Sequence, residues 1–226
     1  MNANPNHIKL VSVDIDGTFM RTDYTYDIPR FKSALARMTK VGCEFVVASG
    51  NQYYQLHSHF PGYDHELSFV AENGALVKAH DQLLFSANIS REAVEKTLEL
   101  LKMHPETKTV MCGLKSAYCQ RGTVSAEFFE AMKKYCHRLQ WVDDFAEVDD
   151  EILKFTPTVP AEKTAYYTEL FQEQLNGALV PTSSGNGEID LIIPDCHKAS
   201  GLERLVQHWG RLNNVWLLVT LISMFF

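Results

Sequence analysis

The sequence predicts an α/β fold in which a Rossmann-like core with a parallel sheet carries an inserted α+β domain. Two short apolar runs, residues 10–13 and 43–49, have the composition of buried strands, and a helical pattern over residues 29–41 lies between them. A strand, a helix and a strand within roughly forty residues form a βαβ unit with parallel strands. Residues 87–186 show a different order of helices and strands, typical of a self-contained α+β module. The flanking residues, 1–86 and 187–226, are expected to form the core.

The composition excludes some classes of protein and some kinds of binding partner. The chain has 226 residues, of which 46% are hydrophobic, which is ordinary for a globular protein with a core and an insert. The net charge of −7 and the lack of a basic run argue against a nucleic-acid partner. Five cysteines without C-x-x-C spacing favour free thiols over a disulfide or zinc framework. The first residues, MNANPNH, lack the apolar run of a signal peptide, so a soluble cytoplasmic protein is expected.

Two aspartates follow the first predicted strand, in the sequence KLVSVDIDGT (residues 9–18). If the strand geometry persists, Asp14 and Asp16 point to one side and Ile15 to the other. Two carboxylates side by side repel each other, and a divalent cation that prefers oxygen ligands, such as Mg²⁺, would relieve this repulsion. The alternative is an Asp-Gly turn that closes a hairpin, but no second strand follows directly.

Polar residues also follow the second and third predicted strands. Ser49, Gly50 and Asn51 precede a short helix at residues 52–60, where a hydroxyl and backbone amides could hold a phosphoryl oxygen. The alternative is that Ser49 or Asn51 only caps this helix. Ligand sites of parallel sheets lie beyond the carboxyl ends of the strands, which is where these residues and the aspartates fall. The third strand, residues 68–77, is broken at Asn73-Gly74, either as a plain turn or as part of the site, and a hairpin ending near residue 85 follows.

The inserted region contains several short elements. Helices are expected at residues 90–103, 125–139 and 161–176, and strands at 108–112, 116–120, 152–158 and 178–183, with the helices on one face of an open sheet. The loop of Gly113, Lys115 and Ser116 is polar and joins two strands, so it either faces a substrate or is a simple hairpin turn. A strand at residues 188–194 then returns to the core. It is followed by Lys198 and a helix at residues 199–209, and a lysine at a helix start implies a nearby anion.

The DIDGT sequence after an apolar strand resembles the first motif of the haloacid dehalogenase (HAD) phosphohydrolase superfamily. The run S-G-N-Q-Y-Y-Q-L resembles the sugar-phosphatase branch of its Cof-type members, although Asn51 stands where the family often has Arg. The insert resembles a type IIB cap, which in this family closes over the core and selects the substrate. The resemblance implies that Asp14 is the nucleophile and Asp16 the general acid and base. It also implies that Lys198 balances the charge of the carboxylates and the phosphate.

The resemblance further implies roles for the remaining residues. Ser49, Gly50 and Asn51 would bind phosphate, Asn73 would lie near the active site, and Asp14 with the backbone carbonyl of Asp16 would bind Mg²⁺. The implied function is a Mg²⁺-dependent phosphatase of small phosphorylated metabolites, sugar phosphates above all, acting through an aspartyl-phosphate. The alternatives are a hexose-phosphate mutase or other phosphotransferase of the superfamily, or an inactive fragment.

The C-terminus departs from the family pattern. A fourth motif of the type G-D-x-x-N-D is expected within about thirty residues of Lys198, but no acidic residue follows Glu203. The chain instead ends in twelve mostly apolar residues, VWLLVTLISMFF, fewer than the ~20 needed to span a bilayer. In a shifted reading frame, codons for part of this tail are compatible with Val-Ala-Phe-Gly-Asp-Ser. A truncated or frameshifted C-terminus and no membrane partner are therefore expected.

Overall fold

The computed structural model describes residues 8–21, 23–63, 65–210 and 217–219. The chain divides into two compact units, Met1–Phe85 with His197–Phe226 and Ser86–Cys196. In chain order, the strands and helices are β1 (Leu10–Val13), α1 (Ile28–Lys40), β2 (Glu44–Ala48), α2 (Tyr53–Ser58), β3 (Leu67–Ala71), β4 (Leu76–Ala79), β5 (Gln82–Ser86), α3 (Arg91–Met103), β6 (Lys108–Gly113), β7 (Ala117–Gln120), α4 (Ala126–Met132), β8 (Leu139–Val142), β9 (Ile152–Thr158), α5 (Thr164–Leu175), β10 (Val180–Gly185), β11 (Glu188–Ile192), α6 (Lys198–His208) and β12 (Leu217–Val219).

The first unit is built on a six-stranded sheet in the order β12-β1-β2-β3-β4-β5. Strands β12, β1, β2 and β3 are parallel, and β4 is antiparallel to β3. The predicted α/β class with a parallel core sheet is therefore confirmed. Because β1, β2 and β3 run in the same direction, the loops that follow them emerge at one edge of the sheet.

Two helices of the first unit pack where the sequence places their apolar residues. Asp27 caps α1 by accepting a hydrogen bond from the backbone N–H of Arg30, and Phe31 and Leu35 are buried on the inner face of this helix. Helix α6 packs on β3 and β4. Gly201 makes this close approach possible, because a Cβ at this position would lie 2.4 Å from Cγ1 of Val70. The start of α6 is thus held next to the carboxyl end of β3.

The second unit is a mixed six-stranded sheet in the order β10-β11-β9-β6-β7-β8, in which β7 and β8 are parallel and the other pairs antiparallel. Leu98 of α3 and Phe171 of α5 share an apolar cluster with Met111 of β6. Phe129 of α4 packs instead with Val110 and Cys112, which alternate with Met111 along β6. Helix α4 therefore lies on the opposite face, and the prediction that all helices share one face was wrong. The helix is also shorter than predicted, and β8 was not predicted.

Strand β11 belongs to the second unit, so the expectation that residues 188–194 return to the core was wrong. It pairs with β10 and β9 in antiparallel fashion. Asn186 and Gly187, with φ of +54° and +86°, form the tight turn between β10 and β11, and such turns require positive φ at both central residues. Along β11, Ile189 and Leu191 are buried while Glu188 is exposed, as in an antiparallel strand. The boundary of the second unit consequently lies at residues 196–197 instead of 186–187.

Two further expectations concern the membrane and the C-terminus. None of the helices in the described ranges is long and apolar enough to span a membrane. The truncated or frameshifted tail falls on residues 211–226, which lie outside the described residues except for β12.

Candidate active site

The loop after β1 carries the two aspartates. Asp14 ends the extended backbone, and its Oδ1 accepts a hydrogen bond of 2.9 Å from the N–H of Ile15. Gly17, with φ of +65°, turns the chain, and the loop is closed by a 3.1 Å bond from the N–H of Phe19 to the carbonyl of Asp14. The strands next to β1 are both parallel to it, which excludes the Asp-Gly hairpin considered from the sequence.

Lys198 lies 184 positions from Asp14 in the sequence but contacts it directly. Its Nζ donates a 2.8 Å hydrogen bond to Oδ2 of Asp14, and each side chain is 39% exposed. Lys198 is the first residue of α6, whose N-terminus is closed by a reciprocal capping arrangement between His197 and Ser200. A cation at a helix start opposes the helix dipole, and the carboxylate of Asp14 supplies the anion that offsets this effect. The contact leaves both charges accessible to a ligand.

The loop after β2 meets the second aspartate. Nδ2 of Asn51 donates a 2.8 Å hydrogen bond to Oδ2 of Asp16. The N–H of Asn51 donates to Oγ of the buried Ser49 at 3.2 Å. The residue that caps α2 is Gln52, so these two side chains do not serve as the helix cap that was the alternative interpretation. Because α2 has only six residues, the loop itself, and not a helix dipole, would have to bind an anion.

The turn after β3 joins this loop to the start of α6. Asn73 has φ of +56°, and its N–H donates to the carbonyl of Ser49 at 3.3 Å. A Cβ on Gly50 would lie 2.6 Å from Oδ1 of Asn73, so the amide packs directly on this glycine. Gly74 approaches α6 just as closely, since a Cβ there would lie 2.3 Å from the carbonyl oxygen of His197. Asn73 therefore belongs to the first unit and to the same edge of the sheet as the aspartates, not to the insert.

Gly113, Lys115 and Ser116 form the turn between β6 and β7 in the second unit. The turn surrounds the carboxylate of Asp150, which accepts hydrogen bonds from the N–H groups of Lys115 and Ser116 and from the hydroxyl of Tyr118 at 2.8 Å. Ser116 is fully buried, and its hydroxyl donates to the carbonyl of Ala117. This favours the interpretation of Ser116 as part of a simple hairpin turn over a contact with substrate. Sequence reasoning missed Asp150, because nothing distinguishes it within the acidic run DDE.

The aspartates offer a small set of oxygen donors for a metal ion. Within the part of the chain that the structure describes, no group of three or more His, Cys, Asp or Glu side chains could hold a metal. Mg²⁺, however, usually binds through one or two carboxylates together with phosphate oxygens and water. A carboxylate oxygen of Asp14 and the backbone carbonyl of Asp16, which the family resemblance implies as ligands, are oxygen donors of the kind that Mg²⁺ takes, and this pairing leaves the Asp16 side chain for proton transfer. The donor set of Asp14 and Asp16 therefore fits Mg²⁺.

Comparison with known proteins identifies the family. The haloacid dehalogenase-like hydrolase family matches residues 11–215, and the chain belongs to this family. A curated relative, the Escherichia coli (strain K12) 5-amino-6-(5-phospho-D-ribitylamino)uracil phosphatase YbjI, is 40% identical over 207 residues, covering 90% of this chain and 74% of the relative. These matches confirm the predicted superfamily and the predicted class of enzyme, a phosphoric monoester hydrolase.

Solved structures show the same fold. SMU.1108c from Streptococcus mutans UA159 is 30% identical with a TM-score of 0.84, covering 90% of this chain and 77% of that one. BT1666 from Bacteroides thetaiotaomicron, described as a HAD-superfamily phosphatase, is 21% identical with a TM-score of 0.71, covering 91% and 74%. At this lower identity the likeness concerns the fold alone.

Proposed function

We propose that the chain is a Mg²⁺-dependent phosphatase of small phosphorylated metabolites that forms an aspartyl-phosphate on Asp14. The observation that carries this proposal is the convergence of two aspartates and a lysine at the ends of parallel strands, with Lys198 in direct contact with Asp14. Uncatalysed hydrolysis of phosphate monoesters is among the slowest reactions known, so a nucleophile, a proton donor and charge stabilisation are all needed. In this proposal Asp14 is the nucleophile, Asp16 the proton donor and Lys198 the source of charge stabilisation.

In the first half-reaction, a carboxylate oxygen of Asp14 attacks phosphorus, and the bond from phosphorus to the alkoxide oxygen breaks. Asp16 gives its proton to the leaving alkoxide, which removes the charge that develops there. In the second half-reaction, Asp16 accepts a proton from water, whose oxygen attacks phosphorus; the bond from phosphorus to the Asp14 carboxylate breaks, and phosphate is released. The hydrogen bond from Asn51 holds the carboxyl group of Asp16 in place for both transfers.

The remaining residues bind and orient the phosphoryl group. The Ser49 hydroxyl, the backbone of Gly50 and the Asn51 amide lie in the loop next to Asp16, where they could donate to phosphoryl oxygens. Lys198 would stabilise the negative charge that the phosphoryl group brings to Asp14. A Mg²⁺ ion, which Asp14 and the backbone carbonyl of Asp16 would hold, would supply further positive charge for the phosphoryl oxygens.

We infer that the substrates are phosphates of sugars or sugar-like chains. The name of the E. coli relative specifies a phosphate on a ribityl group, a reduced sugar chain, and 40% identity over most of the chain supports a similar substrate class. The second unit is proposed to be a type IIB-like cap that selects among these substrates, with Gly113 and Lys115 as candidate contacts.

The test is phosphate release from a panel of sugar phosphates and from p-nitrophenyl phosphate, with Mg²⁺ and after its removal by a chelator. The Asp14→Asn variant should lose turnover and should no longer become phosphorylated, whereas Asp81→Asn, an exposed site elsewhere in the first unit, should behave as the wild type. Retained turnover in Asp14→Asn would exclude the aspartyl-phosphate. Isomerised sugar phosphate without free phosphate would identify a mutase instead.

A further inference from the structure

A cavity of about 510 Å³ lies between helix α1 and strand β1 in the first unit. Its apolar wall contains Val11 and Val13 of β1 and Phe31 of α1. The two valines alternate along β1 with Leu10, which packs with Leu202 of α6. The cavity therefore lies on the face of the sheet opposite α6.

The exposure of the residues around this cavity shows that the face is incompletely covered. Strand β1 pairs with β12 on one side and with β2 on the other, and an interior strand of a parallel sheet is normally buried on both faces. Val11 is nevertheless only half-buried, as is Met38 of α1, which lines the same cavity. Ala34, in the middle of α1, also lines the cavity and is exposed. The flank of α1 next to β1 thus leaves an apolar surface in contact with water.

The charged groups of the lining do not prevent an apolar occupant. The charged and hydroxyl-bearing residues that are exposed at the cavity are Arg21, Asp27, Arg30, Ser33 and Arg37. Arginine side chains can cover apolar surface with their methylene groups while the guanidinium groups stay in water. The hydroxyl of Tyr26, which also lines the cavity, already donates to the carbonyl of His59 at 2.9 Å. An apolar segment can therefore enter without burying a charge.

Strand β12 brings such a segment to this part of the sheet. Its last residue, Val219, is the register partner of Ser12 in β1. The sequence continues with TLISMFF, residues 220–226, of which five are apolar and none is charged. These seven residues lie outside the described ranges. Because β12 and β1 are parallel, the segment starts at the same edge of the sheet as the loop that leads from β1 into α1.

The segment is long enough to cover the cavity. From Arg30 to Met38 the lining extends along α1 by about 12 Å at ~1.5 Å per residue. Four extended residues span this distance at ~3.3 Å each, and three remain for the turn out of β12. A segment tethered by a short linker has an effective concentration of the order of millimolar at its site, which gives it an advantage over a second copy of the chain at micromolar concentration.

We propose that residues 220–226 fold back from β12 and occupy the cavity between α1 and β1 with their apolar side chains. Both faces of β1 are then covered, as expected for a strand inside a parallel sheet. The occupant is thus a segment of the same chain.

The test compares two cysteine variants of the full chain. Ala34 and Ala36 are both exposed on α1, but Ala36 is not among the described residues that line the cavity. The five native cysteines are buried, so iodoacetamide reports on the introduced thiol. Ala34→Cys should react about tenfold more slowly than Ala36→Cys, the factor expected for a cavity that is covered about nine-tenths of the time.

A change in the segment itself should remove this protection. Combining Leu221→Ser, Ile222→Ser and Phe225→Ser makes the segment polar and should raise the labelling rate of Ala34→Cys to that of Ala36→Cys. The same three substitutions should leave the rate of Ala36→Cys unchanged, and this control shows that α1 remains folded.

Two results would overturn the proposal. Equal labelling rates for Ala34→Cys and Ala36→Cys in the otherwise unchanged chain would show that the cavity is open to water. Protection of Ala34→Cys that survives the three serine substitutions would show that another occupant covers the cavity. If that remaining protection also increased with protein concentration, the occupant would be a second copy of the chain.

Discussion

Replacing Lys198 by Met should separate the proposed catalytic role of this residue from its contribution to stability. The pair with Asp14 has good geometry, at 2.8 Å, but each side chain is 39% exposed, so water screens it. Exposed ion pairs contribute only about 0.2–1 kcal/mol to stability, and we expect the free energy of unfolding to fall by no more than this. In the proposed mechanism a dianionic phosphoryl group binds at the same point, and there the lysine would act on charge that is absent from the resting protein.

The expected loss of activity follows from the same contact. A hydrogen bond that involves a charged group is worth about 1.5–3 kcal/mol, so kcat/KM for p-nitrophenyl phosphate should fall by about 10- to 150-fold. Lys198→Arg keeps the charge but replaces a compact ammonium group by a planar fork, so it should recover only part of this loss. Lys40→Met, at an exposed position at the end of α1, is the matched control and should be neutral.

The assay is steady-state kinetics with p-nitrophenyl phosphate, combined with urea unfolding of each variant. A Lys198→Met protein with unchanged kcat/KM would refute the view that the lysine acts on the phosphoryl group. If the free energy of unfolding of Lys198→Met fell by several kcal/mol and the amount of active protein fell in proportion, the role of Lys198 would instead be structural.

Three further predictions address other parts of the chain. Asp16→Asn should slow release of sugar alkoxides far more than release of p-nitrophenolate, which needs no proton; equal losses for both substrates would exclude a general acid at this position. An isolated segment of residues 86–196 should unfold cooperatively in urea because it has its own sheet and apolar clusters, and a gradual, non-cooperative change would contradict its independence. Burial, reinforced by the neighbouring Cys136, raises the pKa of Cys119 to about 12, so only about one in ten thousand of its thiols is ionised at pH 8. Iodoacetamide should therefore label Cys119 in urea but not in the native protein, and rapid native labelling would show that this side of the unit opens readily.

The parts of the fold that the sequence predicts well are those determined by local chemistry. The apolar runs of β1 and β2 and the helix α1 between them appear close to their expected positions. The prediction places EIDLII in the core sheet as a buried strand, whereas β11 pairs with β10 and β9 of the second unit. The Asn186-Gly187 pair, a strong hairpin signal, was the evidence against that assignment.

The candidate site was predictable only in part. The spacing of Asp14 and Asp16 and the position of Ser49 follow from strand periodicity and from the parallel sheet. The contact between Lys198 and Asp14 does not, because it joins residues 184 positions apart and depends on how closely α6 packs on β3. Asp150 was missed for a related reason, since its role depends on the turn at residues 113–116, which it contacts across more than thirty residues.

The close packing around Gly74 and Gly201 limits the substitutions that the enzyme can tolerate at these two positions. Neither residue has a side chain that could take part in chemistry, yet any side chain at Gly74 would meet the carbonyl of His197, and any side chain at Gly201 would meet Val70. Either collision would move the first turn of α6, and with it the ammonium group that contacts Asp14. A shift of 1 Å in such a group can reduce a rate by about two orders of magnitude. A screen for loss of activity should therefore recover substitutions at these two glycines alongside those at the charged residues.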